Sequence, residues 1–271
     1  MSTPLKKIFA KKSLGQHFLN NEYVPSRMVD AANVSEGDVV LEIGPGTGVL
    51  TRELLNRGAH VIALEADERA VEALNESFES EITAKKLVIF HKDVRDGGLG
   101  ELGLIQHQYK LVANIPYYLS GKLFRTFLES DLQPSHLVFL VQKEVAVRIA
   151  RDEKESLLSL SIKAYGEPLY VQTVKRGNFT PPPKIDSAII SIANISHDRF
   201  GEVDESFFFE ILHLGFAAKR KQLLGNLSKK FDRGLLTNIF STLGIHLSTR
   251  GEDLPLEKWL KLVGEIQIHS K

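Results

Sequence analysis

A glycine-rich loop between an apolar strand and a helix constrains the fold of this chain more than any other segment. The strand is predicted over residues 38–43, the loop reads Gly44-Pro-Gly46-Thr-Gly48, and helical periodicity follows over 49–57. Glycines in such a loop let the backbone approach a ligand closely, and the helix N-terminus offers free N–H groups. The segment therefore predicts a strand–loop–helix unit with a ligand site at the loop, although a tight turn with nothing bound is an alternative interpretation.

Further apolar segments of strand length alternate with helical patterns along the chain. They cover residues 60–64, 87–90, 109–113 and 137–141, and Asp67 is the predicted N-cap of the helix that follows the first of them. Continuous apolar strands between helices are typical of a parallel sheet covered on both faces. The expected fold class is therefore α/β, with a doubly wound, Rossmann-like sheet.

The pattern changes in the second half of the chain. We expect a helix over 156–165 and two strands, 168–175 and 185–192, that complete the sheet as an edge hairpin. Only helical periodicity follows, which predicts one domain over residues 1–198 and a small helical domain over 199–271. The helices of that second domain are predicted over residues 207–214, 220–231, 235–243 and 256–263.

Composition limits the class of protein. The 271 residues are 43% hydrophobic and 25% charged, which excludes disorder of the whole chain. The sequence contains no cysteine, which excludes disulfide scaffolds, thiolate zinc sites and cysteine nucleophiles. No apolar run reaches the roughly 18 residues of a membrane span, and the N-terminus lacks a signal-peptide core. We therefore expect a globular cytoplasmic protein that does not bind a membrane.

Charge is balanced in total but unevenly distributed. The chain has 34 basic and 34 acidic residues, yet Lys6, Lys7, Lys11 and Lys12 precede the first acid. A second basic cluster lies within residues 219–233, where Asp232 is the one acid. Such clusters can bind phosphates while acidic surface elsewhere balances the sum. Solvated helix faces are the alternative interpretation.

Acidic residues stand at three strand ends. Glu42 precedes the glycine loop, Glu65 ends the second strand and Asp93 ends the third. The carboxyl ends of parallel strands meet at one edge, where a carboxylate such as Glu65 can accept the hydroxyls of a ribose. Asp93 can accept a hydrogen bond from the amino group of an adenine ring. Because Val49 occupies the last glycine position of G-x-G-x-x-G, the pattern favours an adenosyl-binding crevice over a nicotinamide dehydrogenase.

The tetrapeptide Asn114-Ile115-Pro116-Tyr117 follows the fourth strand. Alone, such a segment is equally typical of a rigid turn. Beside the glycine loop, its residue types fit chemistry on an adenine amino group, because the Asn114 amide oxygen and the Ile115 carbonyl can accept its two N–H bonds. Pro116 stiffens the loop, and Tyr117 offers a face on which an extruded base stacks. This chemistry requires no metal and no covalent nucleophile.

Four ordered motifs give the chain a family resemblance. They are KSLGQHFL at residues 12–19, the glycine loop with Glu42, the tetrapeptide, and NFTPPPKIDS at residues 178–187. Together they closely resemble the ribosomal RNA adenine dimethylase family, and in particular its small-subunit (16S) branch. The resemblance covers essentially the whole chain, including a basic C-terminal segment at residues 216–227.

The resemblance implies a methyltransferase domain over residues 1–198 and a helical RNA-binding domain over 199–271. It implies S-adenosylmethionine as cofactor and dimethylation of two adjacent adenines near the 3′ end of 16S rRNA, in a precursor of the small ribosomal subunit. A monomeric protein without a metal is expected. The predicted catalytic residues are Asn114, Ile115, Pro116, Tyr117 and, closing the other side of the pocket, Phe179. The predicted cofactor-binding residues are His17, Leu19, Glu42, Gly44, Gly46, Gly48, Glu65, Asp93 and Asn114. The predicted RNA-binding residues are Lys11, Lys12, Lys219, Arg220 and Lys221.

Two departures from the family pattern affect the expected target pocket. His17 occupies a position that is often asparagine, and residues 118–122 replace the more usual serine/threonine-proline continuation. A large-subunit (23S) methyltransferase of the resistance type shares the glycine loop and the tetrapeptide, but residues 179–183 and 219–226 favour the small-subunit branch. A non-catalytic assembly factor is a further alternative, against which the intact Asn114 and Tyr117 argue.

Overall fold

Strands and helices alternate along the part of the chain that the structure, a computed structural model, describes: residues 4–6, 8–11, 15–218 and 220–270. The strands in these ranges are β1 (Phe18–Leu19), β2 (Val39–Ile43), β3 (His60–Glu65), β4 (Leu87–His91), β5 (Tyr109–Asn114), β6 (His136–Gln142), β7 (Glu167–Val174), β8 (Phe179–Thr180) and β9 (Ser187–Ala193). The α-helices are α1 (Tyr23–Ala31), α2 (Val49–Asn56), α3 (Glu68–Ser77), α4 (Glu79–Thr83), α5 (Ser120–Leu128), α6 (Lys143–Ala150), α7 (Leu157–Lys163), α8 (Glu205–Phe216), α9 (Leu223–Leu227), α10 (Arg233–Thr242) and α11 (Leu256–His269).

The main sheet has the strand order β4-β3-β2-β5-β6-β9-β7. Strands β2 to β6 pair in parallel, whereas β9 pairs antiparallel with both β6 and β7. The predicted hairpin is therefore present, with β9 inside the sheet and β7 at its edge. Leu41, Leu111 and Val138 in the central strands are fully buried, because helices cover both faces of a parallel sheet.

Strand register places the ends of the central strands side by side. Ile43 of β2 pairs with Leu64 of β3, and Glu65 pairs with His91 of β4. The residues that follow these strands consequently lie at one edge of the sheet, which is where doubly wound folds bind ligands. Asp67 is the N-cap of α3, as the sequence predicts, and its side chain accepts the Arg69 N–H.

The chain divides into two compact units. The first comprises Met1–Ala146 and Glu167–Ile195, and the second comprises Val147–Gly166 and Ser196–Lys271. The sequence-based division after residue 198 thus differs for residues 147–166, which group with the C-terminal helices. The reason is tertiary packing: the Tyr165 ring stacks on Phe209 at 5.9 Å and contacts Phe200 at 5.3 Å.

The helix predicted over 220–231 is much shorter in the structure. Before α9, the Lys221 N–H bonds to the Ala218 carbonyl in a turn, and Gln222 has extended backbone angles. After α9, the Lys230 N–H reaches only three residues back, to the Leu227 carbonyl. The basic residues of this region therefore flank a short helix instead of lining a long one. Across the described ranges, every helix is too short or too polar to cross a lipid bilayer.

Candidate active site

A pocket opens where β2, β3, β4 and β5 end, and it contains about 860 Å³ of empty space, including the part open to solvent. Five segments of the first unit form its walls. They are residues 15–18, the glycine loop with Ile43, Gly44 and Gly46, residues 64–66, residues 92–95 and residues 114–119. The structure thus brings together predicted residues that are far apart in the sequence.

The glycine loop forms one wall of this pocket. Gly44 and Gly46 have φ angles of +65° and +56°, in the left-handed region that favours glycine. A Cβ atom on Gly44 would meet nothing within 4 Å, whereas one on Gly46 would lie 2.8 Å from Phe18 Cε1. Space beside Gly44 is what the close approach of a ligand to the backbone requires.

Glu65 lies at the end of β3 and lines the pocket with only 6% of its surface exposed. Its Oε2 accepts the Gly46 N–H at 3.0 Å, and its Oε1 accepts the Asp67 N–H at 2.9 Å. Burial raises the pKa of Glu65, and these backbone N–H groups oppose that rise. Each carboxylate oxygen can accept more than one bond, so Glu65 can also accept a ligand hydroxyl.

Asp93 also lines the pocket, but Arg95 occupies much of its carboxylate. The Arg95 Nε lies 3.0 and 2.9 Å from the two oxygens, and Nη2 lies 2.5 Å from Oδ2. The hydrogen-bonded Arg95 guanidinium lowers the pKa of Asp93. An ionised carboxylate retains acceptor capacity beside an arginine, so a bond from an adenine amino group stays a prediction for Asp93.

Asn114 ends β5 and lines the pocket through an amide of fixed orientation. Its Nδ2 donates to the His17 carbonyl oxygen at 3.1 Å. Because a carbonyl only accepts hydrogen bonds, the nitrogen must face His17, and Oδ1 stays an acceptor on the other side. Among the described residues, no donor is hydrogen-bonded to that oxygen. Ile115 and Pro116 continue the same wall.

Tyr117 is held at its ring and at its hydroxyl. Its Oη lies 2.7 Å from Ser187 Oγ, and its ring stacks on His17 with centroids 5.9 Å apart and an interplanar angle of 23°. His17 is fixed in turn, because its Nδ1 lies 2.7 Å from the Pro181 carbonyl oxygen. Burial raises the pKa of Tyr117, so the phenol stays neutral. A rigid, neutral aromatic face suits base stacking.

Leu19 and Phe179 are not among the residues that line this pocket. They pair across β1 and β8, and both belong to the buried core of the first unit. Side chains alternate along a strand, so Phe18 faces the pocket while Leu19 faces the core. Phe179 lies directly opposite Leu19 and therefore points to the same side. Its proposed place on the target side of the pocket has no support from this geometry.

Gly48 and Glu42 lie beneath the pocket instead of lining it. Gly48 is the N-cap of α2, and a Cβ atom there would lie 2.6 Å from Phe78 Cε2. Glu42 is 1% exposed and accepts a hydrogen bond from Thr51 Oγ1 at 2.7 Å. Burial raises the pKa of Glu42 to about 8, with the Thr51 bond opposing and the Glu65 charge adding to the rise. Both residues support the glycine loop from the core.

The raised pKa of Glu42 predicts a pH-dependent effect of Glu42→Gln on stability. Between about pH 5 and pH 8 the folded protein holds a proton at Glu42 that the unfolded chain has released, so wild-type stability falls as pH rises, by at most about 1.4 kcal/mol per pH unit. Glutamine has no such proton. The free energy of unfolding of Glu42→Gln, relative to wild type, should therefore increase over this window.

Denaturant titrations across that pH window measure the effect, with Glu36→Gln at an exposed carboxylate as the control. A difference between Glu42→Gln and wild type that stays constant with pH would contradict the raised pKa.

The predicted RNA-binding residues do not lie together at one place in the structure. Lys12 and Lys219 lie outside the described residues. Lys11 Nζ is 3.6 Å from Asp67 Oδ1, so it forms an ion pair within the first unit. Arg220 and Lys221 are exposed on the second unit, next to a turn that Asn226 holds by donating to the Gly215 and Ala218 carbonyls at 2.7 and 3.3 Å.

Two residues that line the pocket, Arg95 and Tyr118, are outside the predicted catalytic and cofactor-binding sets, although Tyr118 belongs to the segment 118–122 that was expected to affect the target pocket. Arg95 pairs with Asp93, and Tyr118 is 59% exposed at the pocket, where its ring lies 3.2 Å from the position of a Cβ on Gly15. An aromatic residue directly after the tetrapeptide was the signal for Tyr118, whereas nothing local marked Arg95. Within the described part of the chain, no group of three or more histidine or acidic side chains is placed to hold a metal ion.

Comparison with known proteins identifies similar sequences over nearly the whole chain. The family model described as "Ribosomal RNA adenine dimethylase" matches residues 8–267. The "Ribosomal RNA small subunit methyltransferase A" of Dehalococcoides mccartyi is 40% identical over 256 residues, which cover 93% of this chain and 87% of the relative. The protein of the same description from Bacillus mycoides is 35% identical over 272 residues, covering 96% and 92%.

Solved structures share the fold. A dimethyladenosine transferase from Plasmodium falciparum matches with a TM-score of 0.80 at 24% identity, covering 94% of this chain and 98% of the other. The 23S rRNA methyltransferase ErmE matches with a TM-score of 0.75 at 23% identity, covering 92% and 99%. At such identities the likeness establishes the fold alone, and it confirms the predicted Rossmann-like α/β class with C-terminal helices.

Proposed function

Because the chain belongs to the ribosomal RNA adenine dimethylase family, we propose that it dimethylates the N6 atoms of two adjacent adenines near the 3′ end of 16S rRNA. The strongest support for this function is that a single pocket contains both carboxylates suited to a nucleoside and groups suited to a target adenine. Glu65 and Asp93 offer carboxylates at the ends of β3 and β4, and Asn114 and Tyr117 offer an amide acceptor and an aromatic face. This combination suits a nucleoside-bearing donor beside an adenine.

The residues present fit S-adenosylmethionine, the methyl donor of this family. Gly44 leaves open space beside the backbone, which a ligand needs for close approach. Glu65 is a buried carboxylate with remaining acceptor capacity for ribose hydroxyls, and the Asp93 carboxylate, although bonded by Arg95, retains acceptor capacity for an adenine amino group. When bound, the donor supplies a methyl group on a positively charged sulfur.

Asn114 and Ile115 would act on the target amine. The lone pair of an adenine amino nitrogen is delocalised into the ring, which makes it a poor nucleophile. Acceptors at the Asn114 Oδ1 and the Ile115 carbonyl would bind its two N–H groups and stabilise the positive charge that develops on nitrogen. The bond from Asn114 Nδ2 to the His17 carbonyl fixes that acceptor before the target arrives. The proton that the nitrogen loses after transfer passes to water.

Tyr117 would hold the target base. An adenine must leave its stack to enter the pocket, and stacking on an aromatic ring returns about 1–3 kcal/mol per base. The contacts from Ser187 and His17 keep the Tyr117 ring in one orientation. Proximity of the two reactants then supplies much of the rate enhancement.

The proposal includes the setting of the reaction. The substrate is the small ribosomal subunit or its precursor, so the protein acts in the cytoplasm, where that subunit is assembled. The proposed acting form is the monomer. The first unit carries the methyltransferase chemistry, and the second contributes RNA binding through exposed basic residues.

A methyl-transfer assay with labelled S-adenosylmethionine tests the proposed function. Undermethylated small subunits, large subunits and protein-free RNA are offered in parallel, and nucleoside mass spectrometry identifies the product. Dimethyladenosine in small-subunit RNA alone is the expected result. Label in large-subunit RNA would instead favour a 23S enzyme, and binding without label would favour an assembly factor.

Removing charge from the basic turn of the second unit should weaken RNA binding. In Arg220→Gln/Lys221→Gln, affinity for small subunits is expected to fall and the slope of log affinity against log salt to flatten by about one per lost phosphate contact. Filter binding at several salt concentrations measures both. If the affinity for small subunits and its salt dependence were unchanged, Arg220 and Lys221 would be solvated surface residues that do not contact RNA.

A further inference from the structure

A second concave region of the first unit carries basic residues that the proposed reaction does not use. Its walls are the start of α6, the segment after β7 and the segment before β9. The lining residues are Lys143, Glu144, Arg176, Lys184, Ile185 and Asp186, which we call the cationic groove. The Lys143 N–H donates to the Asp186 carbonyl at 3.0 Å, which holds the first and last of these segments together.

The groove keeps a positive charge that its own acids do not neutralise. Asp186 is already committed, because its Oδ1 accepts the Arg176 backbone N–H at 3.0 Å and its Oδ2 pairs with Lys175 Nζ at 3.1 Å. Glu144 is the other acid of the lining. Lys143, Arg176 and Lys184 are exposed, and within the described part of the chain none of their side chains forms an ion pair, although the charge of Lys143 acts on Asp186 at longer range. With Lys175 included, four cations (Lys143, Lys175, Arg176 and Lys184) stand against the two carboxylates of Glu144 and Asp186.

The groove adjoins the target end of the pocket through consecutive residues. Asp186 lines the groove, and the next residue, Ser187, contacts Tyr117 Oη at 2.7 Å. A base stacked on Tyr117 therefore has its sugar and phosphates near the pocket mouth, with the neighbouring nucleotides beyond. A strand that leaves the mouth on the β9 side meets the cationic groove.

We propose that the cationic groove binds the phosphates of the RNA strand that flanks the target adenine. The inference rests on the proposed function and adds a positioning site to it. Arg176 supplies a planar fork that suits a phosphate, and Lys143 and Lys184 supply point charges. RNA is favoured over an acidic protein because Asp186 of the groove directly precedes Ser187, whose hydroxyl contacts the tyrosine proposed to stack on the target base.

The test compares three pairs of substitutions in the full chain. Arg176→Gln/Lys184→Gln removes two charges from the groove, and Arg176→Lys/Lys184→Arg keeps them. The matched control is Lys85→Gln/Lys86→Gln, which removes two exposed charges beside the start of β4, at the opposite edge of the sheet. Each protein is assayed for salt-dependent binding to protein-free 16S rRNA and to small subunits, and for dimethyladenosine formation.

The neutral groove variant should bind protein-free RNA about tenfold more weakly at physiological salt, with a salt slope reduced by about one per lost contact. Its KM for small subunits should rise by a similar factor while kcat and donor affinity stay unchanged, because these contacts are equal in the ground and transition states. The charge-retaining pair should recover most of the affinity, and the control should behave as wild type.

Several results would overturn the inference. The first is that Arg176→Gln/Lys184→Gln has the same RNA affinity and salt slope as wild type. The second is that Lys85→Gln/Lys86→Gln loses as much RNA affinity as the groove variant does. Weaker binding to whole subunits with unchanged binding to protein-free RNA would assign the groove to a ribosomal protein. The proposed function is judged separately, by whether the wild type forms dimethyladenosine in small-subunit RNA.

Discussion

Replacing Asn114 by alanine is expected to lower kcat for methyl transfer by at least about 100-fold, the usual cost of losing one preorganised group that stabilises charge in a transition state. Alanine removes the Oδ1 acceptor for the target amine and also the bond from Nδ2 to the His17 carbonyl. S-adenosylmethionine should still bind measurably, because Gly44, Glu65 and Asp93 are untouched. The loss therefore belongs to the chemical step.

Single-turnover methylation of small subunits and calorimetric titration of the donor separate the two effects. Asn75→Ala is the matched control, because it removes an exposed amide from α3 of the same unit. Near-normal turnover in Asn114→Ala would remove this residue from the mechanism. Complete loss of donor binding would show instead that Asn114 acts mainly on the cofactor.

Gly48→Ala should destabilise the first unit by about 3 kcal/mol, from a left-handed backbone penalty of about 1–2 kcal/mol and overpacking of about 1–3 kcal/mol. The φ angle is +82°, and the new Cβ would lie 2.6 Å from Phe78 Cε2 and 2.9 Å from Leu74 Cδ2. Both neighbours are buried, so neither can move away freely. For a unit of this size, the midpoint of thermal unfolding should fall by roughly 6–12 °C.

Gly121→Ala provides the matched comparison for this experiment. Gly121 lies in α5, and a Cβ there would meet nothing within 4 Å, so alanine should be neutral or stabilising by up to about 1 kcal/mol. Thermal unfolding monitored by circular dichroism measures both variants. If the unfolding midpoint of Gly48→Ala lay within about 2 °C of wild type, the loss in free energy of unfolding would be less than about 1 kcal/mol. That result would contradict the predicted overpacking. Packing against Phe78 and Leu74 is sufficient to require a glycine at position 48, and contact of Gly48 with the donor stays a prediction.

Sequence alone determined the strands of the main sheet and their order along the chain. Apolar runs predicted the strands of the sheet, and Asp67 was correctly placed as the N-cap of α3. The motifs also predicted which segments form the pocket, because they follow parallel strands whose carboxyl ends must meet at one edge of the sheet. These features depend on neighbours in the chain: burial follows a short period, and a cap bonds to an N–H only two or three residues away.

Tertiary structure decided which member of each motif reaches the pocket. Phe18 faces the pocket and Leu19 the core, and Gly44 borders open space while Gly48 packs on Phe78. Such choices depend on partners far away in sequence, as when His17 bonds to a carbonyl 164 residues later. A local sequence pattern indicates which residue types are compatible with a site. Only the packing of distant segments fixes the direction of each side chain, because that direction is set by contacts that the local sequence does not contain.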